Sequence, residues 1–242
     1  MTLGAIYDLL DTLSPFALQE KWDNSGLIVG SREQEIRNIV LSIDVDEALL
    51  ESLDEGTLLI THHPLIFGGI TALDFERYPA NLLRTMIRKN VANIAMHTNF
   101  DQTHLNRWVA ENVLGQTAIT QEGFVAYFDV DEDFDAFAET VRERFSLPHL
   151  KAVKRHDRLR RIALVTGAGG SLMRDVDADC LLTGDIKYHD AMEAASLGRS
   201  MIDIGHFESE RFFPEVLARH LKNFGLAVII SSSKNPFTYC GS

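Results

Sequence analysis

Two histidines, His62 and His63, stand side by side in "THHP" at the end of the apolar run TLLIT. Imidazole is the commonest metal ligand and titrates near neutral pH, so an adjacent pair at a strand end reads as metal or acid–base chemistry. Other polar residues occupy the same kind of place: His97 and Asp101 follow VANIAM, Asp185 and His189 follow CLLT, and His206 and Glu210 follow MIDI. Of the nine histidines, His62, His63, His97, His104, His189 and His206 all fall in such post-strand segments. A lone histidine is more often a hydrogen-bonded structural residue than a ligand. His104, His149, His156 and His220 have only that reading, whereas the clustering of the others is hard to assign to packing.

Adjacent side chains on an extended backbone point to opposite sides. His62 and His63 are therefore expected to serve two neighbouring ions, one each, with Pro64 holding His63 extended. Two-metal hydrolytic sites set their ions about 3.5–4 Å apart, a gap that one carboxylate bridges, and Asp101 and Glu210 are the obvious donors. His206 and Glu210 are spaced i, i+4, so a helix starting at His206 projects both from one face, the logic of the zinc-binding HExxH motif. His97 and Asp101 share that spacing, on a turn or a helix. Three neutral imidazoles and two carboxylates set two negative charges against the four positive charges of two divalent cations, a surplus that favours ionised water as nucleophile. Zn, Fe, Mn, Ni and Co all suit such mixed ligands.

A second feature is "VTGAGGSLM", where Gly167, Gly169 and Gly170 follow a strand and precede a helix start at Ser171. Backbone N–H groups in that setting can cradle a phosphate, or the glycines can simply make a tight turn. The segment is neither a Walker loop nor a full GxGxxG, since Leu172 takes the last glycine position. The basic run KAVKRHDRLRR, 151–161, either meets a phosphate or solvates a surface connection.

The elements that must position these residues alternate. A helix is expected over 2–13 with Thr2 as its cap, then strand 39–45, helix 46–53, strand 57–61, helix 81–89, strand 91–96 and helix 105–114. The second half reads as strand 124–130, helix 133–145, strands 161–166, 180–183 and 201–204, a helix over 210–224 and strand 226–231. Pro214 places the start, or a kink, of that last helix in question. This is an α/β pattern of parallel βαβ units, in which ligands gather at the carboxyl ends of the strands. "LLITHHP" and "CLLTGDIKYHD" echo each other, which suggests two related α/β lobes facing each other across a cleft. The boundary is expected between Gly115 and Gly123, giving lobes of 1–118 and 119–242, with a return of the C-terminal segment to the first.

Composition bounds the function. The chain has 242 residues, 45% of them hydrophobic, enough for a sizeable core. No apolar stretch is long enough to cross a bilayer, and the N-terminus lacks the pattern of a signal peptide, so a cytosolic, membrane-free protein is expected. Two cysteines, Cys180 and Cys240, build neither a disulfide framework nor a thiolate cage. A formal charge of −12 disfavours nucleic acid as a partner.

"WDNSGL" (22–27), "ITHHPLIF" (60–67), "HTNFD" (97–101), "GAGGS" (167–171), "TGDIKYHDA" (183–191) and "IGHFESER" (204–211) together resemble the GTP cyclohydrolase I type 2 homologues, the Ngg-interacting factor three family. The resemblance runs along the whole chain in the same order. It implies two α/β lobes enclosing a dinuclear metal site and a ring-shaped homohexamer. Carried over by motif, the ligands are His62, His63, Asp101, His206 and Glu210, with His97 beside the site and facing substrate. It also implies ring-opening hydrolysis of GTP to formate and dihydroneopterin triphosphate. In that reaction His97 or His189 would move protons, and the triphosphate would lie against the 167–171 glycines or the 151–161 run. Phe207, where many relatives carry a histidine or small residue, departs from the pattern and bears on pocket shape. The alternative is a metal-binding interaction or regulatory protein without turnover, in keeping with a family named after a protein partner.

Overall fold

The computed structural model describes residues 1–240 and resolves the chain into two compact units. One comprises Met1–Phe100 and Phe213–Ser233; the other comprises Asp101–Phe212 and the residues from Lys234 on. The chain thus leaves the first unit at Phe100, ahead of the 115–123 boundary read from the sequence, and returns to it at Phe213.

The first unit opens with α1 (Leu3–Leu13), where the Thr2 side chain accepts from the Ala5 N–H and Leu3, Ile6 and Leu10 are buried. Next come β1 (Gly26–Val29), β2 (Asn38–Ser42), and α2 (Glu47–Ser52), which Asp46 caps by accepting from Leu49 N. Then follow β3 (Thr57–Thr61), α3 (Ala80–Arg88), β4 (Ala92–Ala95) and the short α4 (Thr98–Phe100). Every residue of β3 is buried, which is why it reads as a continuous apolar run and not an alternating one.

The second unit begins with a π-helical turn at Asp101–Leu105 that leads into α5 (Asn106–Asn112). A hairpin of β5 (Ile119–Glu122) and β6 (Val125–Asp133) precedes α6 (Phe134–Phe145). After β7 (Lys151–Val153) and β8 (Arg158–Leu164), a 3-10 turn at Gly170–Arg174 takes the place of the helix expected at Ser171. The unit continues through β9 (Cys180–Thr183), α7 (Tyr188–Ser196), β10 (Ser200–Asp203) and α8 (His206–Glu210). The return segment carries α9 (Phe213–Asn223) and β11 (Ile229–Ile230) back to the first unit. The helix expected over 210–224 begins at Phe213, with Pro214 in its first turn, where its missing N–H costs nothing.

The sheet of the first unit has the order β1-β4-β3-β2-β11, parallel throughout except for the antiparallel pair β1 and β4. That of the second has the order β5-β6-β8-β9-β10-β7, and only β8, β9 and β10 run parallel. The parallel βαβ expectation thus holds at both sheet centres and fails at β1 in the first sheet and at both edges of the second. The basic run is part of this framework. Lys151 Nζ lies 2.7 Å from Asp203, Lys154 Nζ 2.7 Å from Asp135 and Arg158 Nε 2.6 Å from Asp131, so local carboxylates match these cations.

One core in the first unit joins Val40, Leu50, Leu59, Leu83 and Met86; one in the second joins Tyr127, Ala163, Met173, Leu181 and Met201. Cys180 is buried and Cys240 exposed, both as free thiols, and burial pushes the Cys180 thiol far up. Among the described residues no helix is long and apolar enough to cross a membrane.

Candidate functional site

In the first unit the ends of β3 and β4 bring three imidazoles together. His62, His63 and His97 each offer a ring nitrogen, and these nitrogens lie within 4.8 Å of one another. The rings of His62 and His63 stand 5.2 Å apart, so the two side chains do not diverge to opposite faces as the strand argument expects. The reason is local. β3 ends at Thr61 and the chain bends at His62 and His63, so the alternation of a pleated strand no longer governs them.

Each ring is held from behind. The Nδ1–H of buried His62 donates to the Met96 carbonyl (2.9 Å), His63 Nδ1 meets Asp44 Oδ1 (2.7 Å), and His97 Nδ1 meets Asp23 Oδ1 (2.7 Å). An oxygen on Nδ1 fixes the neutral tautomer that leaves the lone pair on Nε2 and makes that nitrogen a better ligand or base. Phe213 packs over the His62 ring at 4.9 Å.

Asp23 is the hub of this arrangement. Its side chain is fully buried and takes hydrogen bonds from His97, the Thr98 N–H and hydroxyl, the Ser25 hydroxyl and the Asn24 N–H. Burial alone would raise its pKa, but the hydrogen bond from His97, followed by the bonds from Thr98 and Asn24, holds the carboxyl well below the usual range.

In the second unit α8 does what its spacing predicts. His206 and Glu210 project from one face, with His206 Nε2 3.1 Å from Glu210 Oε2, and the Glu210 side chain is almost fully buried. His206 Nδ1 meets Asp185 Oδ2 at 2.7 Å, the same arrangement seen at His63 and His97. Asp185 takes a left-handed backbone, φ 53°, in the turn after β9. That turn is fixed by Asp203, whose carboxylate accepts from the Ile186 and Gly205 N–H groups and pairs with Lys151. Asp101, in the π-helical turn, accepts from the Thr166 hydroxyl at its Oδ1 (3.4 Å). A single π turn of this kind recurs at functional sites.

Gly167, Gly169 and Gly170 are closely packed within the second unit. The Gly167 N–H donates to Ser209 Oγ (3.0 Å) and the Gly169 N–H to Thr183 Oγ1 (2.7 Å), so two of the three amides are already used inside the unit. Gly167 has φ +65°, and a Cβ there would overlap Glu210 Oε1. A Cβ on Gly169 would press on Val165 and Thr183, and one on Gly170 on the Asp190 carboxylate. His189 is exposed on α7, where its ring meets that of its neighbour Tyr188 at 5.5 Å, and it belongs to neither donor group.

Sequence reasoning missed the buttressing carboxylates Asp23 and Asp44, although Asp23 lies in "WDNSGL". The three imidazoles of the first unit, and the imidazole and carboxylate of His206 and Glu210 in the second, are donor types that suit a divalent transition metal, each ring with its Nδ1 tied down. The fold and these groups define a two-unit α/β protein with His and Glu clusters that could bind a metal. The chain belongs to the Duf34/NIF3 (NGG1p interacting factor 3) family, which it matches over residues 1–236.

Its relatives include a Campylobacter jejuni protein named GTP cyclohydrolase 1 type 2 homolog, 47% identical over 99% of this chain and 100% of that one. A Helicobacter pylori protein named GTP cyclohydrolase 1 type 2 is 42% identical over 94% of this chain and 95% of its own. A crystal structure of a Staphylococcus aureus hypothetical protein superposes with a TM-score of 0.87 at 26% identity, covering 99% of each chain. Reduced HcgD from Methanocaldococcus jannaschii shares the fold, with a TM-score of 0.80 at 24% identity over 95% of this chain and 96% of that one.

Proposed function

We propose that this chain is a metal-dependent hydrolase acting on a nucleotide, with ring-opening of GTP to formate and dihydroneopterin triphosphate as its leading reaction. The observation that carries the reading is the shared construction of four imidazoles. His62, His63, His97 and His206 each have Nδ1 engaged by an oxygen, which aims Nε2 outward as ligand or base. His62, His63, Asp101, His206 and Glu210 are the residues that would hold two divalent ions. When bound, such ions polarise a substrate oxygen and lower the pKa of water.

The chain's own residues do the rest. His97, backed by the Asp23 carboxylate, takes and returns a proton at Nε2. Asp44 and Asp185 hold His63 and His206 in one orientation. The choice of GTP follows the names of the Campylobacter and Helicobacter relatives. Assembly as a ring-shaped homohexamer, implied by the family resemblance, belongs to the same proposal and is checked by light scattering.

Incubating metal-loaded protein with GTP should release formate and produce pterin fluorescence, and His63→Ala should lose metal and activity together while remaining folded. A nucleotide panel that yields neither formate, pterin nor phosphate would sink the hydrolase. One observation favours the second reading, a metal-binding interaction protein without turnover: the Gly167 and Gly169 amides are committed internally and offer no phosphate cradle. Retained metal binding with no turnover on the panel selects that reading.

A further inference from the structure

Beside the three imidazoles of the first unit stand two large aromatic side chains outside the core, Trp22 and Phe67, 57% and 56% exposed. Their ring centroids are 5.8 Å apart, and each lies edge-on to His97, at 6.1 Å for Trp22 and 6.2 Å for Phe67. The backbone beneath them is pinned. Gln19 and Ser25 exchange hydrogen bonds across the loop, the Glu20 N–H donates to Thr98 Oγ1, and Asp23 is locked to His97 and Thr98. Asn24 Nδ2 donates to the Ile66 carbonyl at 2.7 Å, which ties the Trp22 loop to the segment that carries Phe67. Aromatic rings held on a fixed backbone and open to water are a recurrent platform for stacking a planar base, because every base has a π-face and the platform needs no reordering to receive it.

We infer that Trp22 and Phe67 form a stacking subsite for a planar heteroaromatic ring of the purine or pterin class, placed next to His62, His63 and His97. The ring class rests on the nucleotide reading above; the subsite itself rests on the aromatic geometry. It assigns the base end of the substrate to the first unit, where the imidazoles lie, and leaves the phosphate chain outside it. Trp22 and Phe67 thereby select for a flat ring and not for phosphate.

The chain has two tryptophans, so Trp108→Phe leaves Trp22 as the single indole reporter. In the metal-loaded protein, GTP and guanosine should each quench Trp22 emission saturably, and inorganic tripolyphosphate should not. Equilibrium dialysis of GTP against Trp22→Ala and Phe67→Ala, each with the other aromatics intact, should show binding weakened about 5- to 150-fold, the range for loss of one stacked base. Trp22→Phe should recover most of it, and metal content should stay at the wild-type level in all three. The inference is overturned if GTP binds without changing Trp22 emission, if Trp22→Ala binds GTP as tightly as wild type, or if neither purines nor pterins bind. The formate assay separates the two proposals. Stacking without formate release refutes the hydrolase and keeps the subsite, whereas wild-type formate release and KM in Trp22→Ala refutes the subsite and keeps the hydrolase.

Discussion

Gly167→Ala separates the packing role of the glycine loop from a phosphate-binding one. At φ +65° an alanine pays for the left-handed conformation, about 1–2 kcal/mol. Its Cβ also overlaps Glu210 Oε1, and Glu210 Cδ is 3.1 Å away, so the carboxylate must withdraw by about 1 Å to reach ordinary contact. Metal–ligand distances tolerate only about 0.2 Å. The loss should therefore fall on metal binding, with affinity down at least about 10- to 100-fold, the scale seen when ligand support is removed. Stability should drop only about 1–2 kcal/mol, a few degrees in melting temperature. Metal content after dialysis, a competition titration with a chelating indicator and calorimetric melting measure both sides. A variant that keeps wild-type metal affinity while losing nucleotide binding would refute this reasoning and restore the phosphate cradle.

Asp23→Asn should cost about 2–4 kcal/mol at pH 7, because an amide cannot accept from all the donors that converge on the carboxylate and a buried N–H loses its partner. Since the folded carboxyl has a depressed pKa, it binds fewer protons folded than unfolded. Its contribution is full above the unfolded value near pH 4 and is lost as the pH falls below that toward the folded value, so urea titrations should show the wild-type advantage shrinking in acid; an advantage that does not change with pH would refute this. Asp185→Asn keeps an acceptor for His206 and tolerates the left-handed backbone, yet removes the charge. It should leave melting within about 0.5 kcal/mol of wild type and weaken metal binding about 10-fold, and equal affinity in the same indicator titration would count against the carboxylate's role.

Continuous apolar runs such as TLLIT and CLLT were legible because a strand buried on both faces leaves no other pattern. The i, i+4 spacing of His206 and Glu210 likewise announces α8. β7 is hidden in a basic run, since its one charge, Lys151, is neutralised by Asp203, a partner remote in sequence. α7 is absent from the elements expected from the sequence, because polar Tyr188, His189 and Asp190 begin it. The carboxylates behind His63 and His97 escape periodicity altogether, with Asp23 lying 74 residues from His97 and Asp44 19 from His63. The convergence of His62 and His63 was misread for a different reason: a rule for paired strands was applied one residue past the end of one.

The division of the chain orders its synthesis. β11 pairs with β2, and α9 buries Phe213, Val216, Leu217 and Leu221, yet both are made only after the intervening 101–212 segment. At ribosomal rates that segment takes on the order of 5–20 s. For that interval the first hundred residues lack the cover that α9 supplies, including the Phe213 ring that packs on His62. The second unit emerges with its main segment continuous, so it is the first able to close. The imidazole group of the first unit is completed last, and a nascent chain stalled before Phe213 would carry histidines without their finished setting.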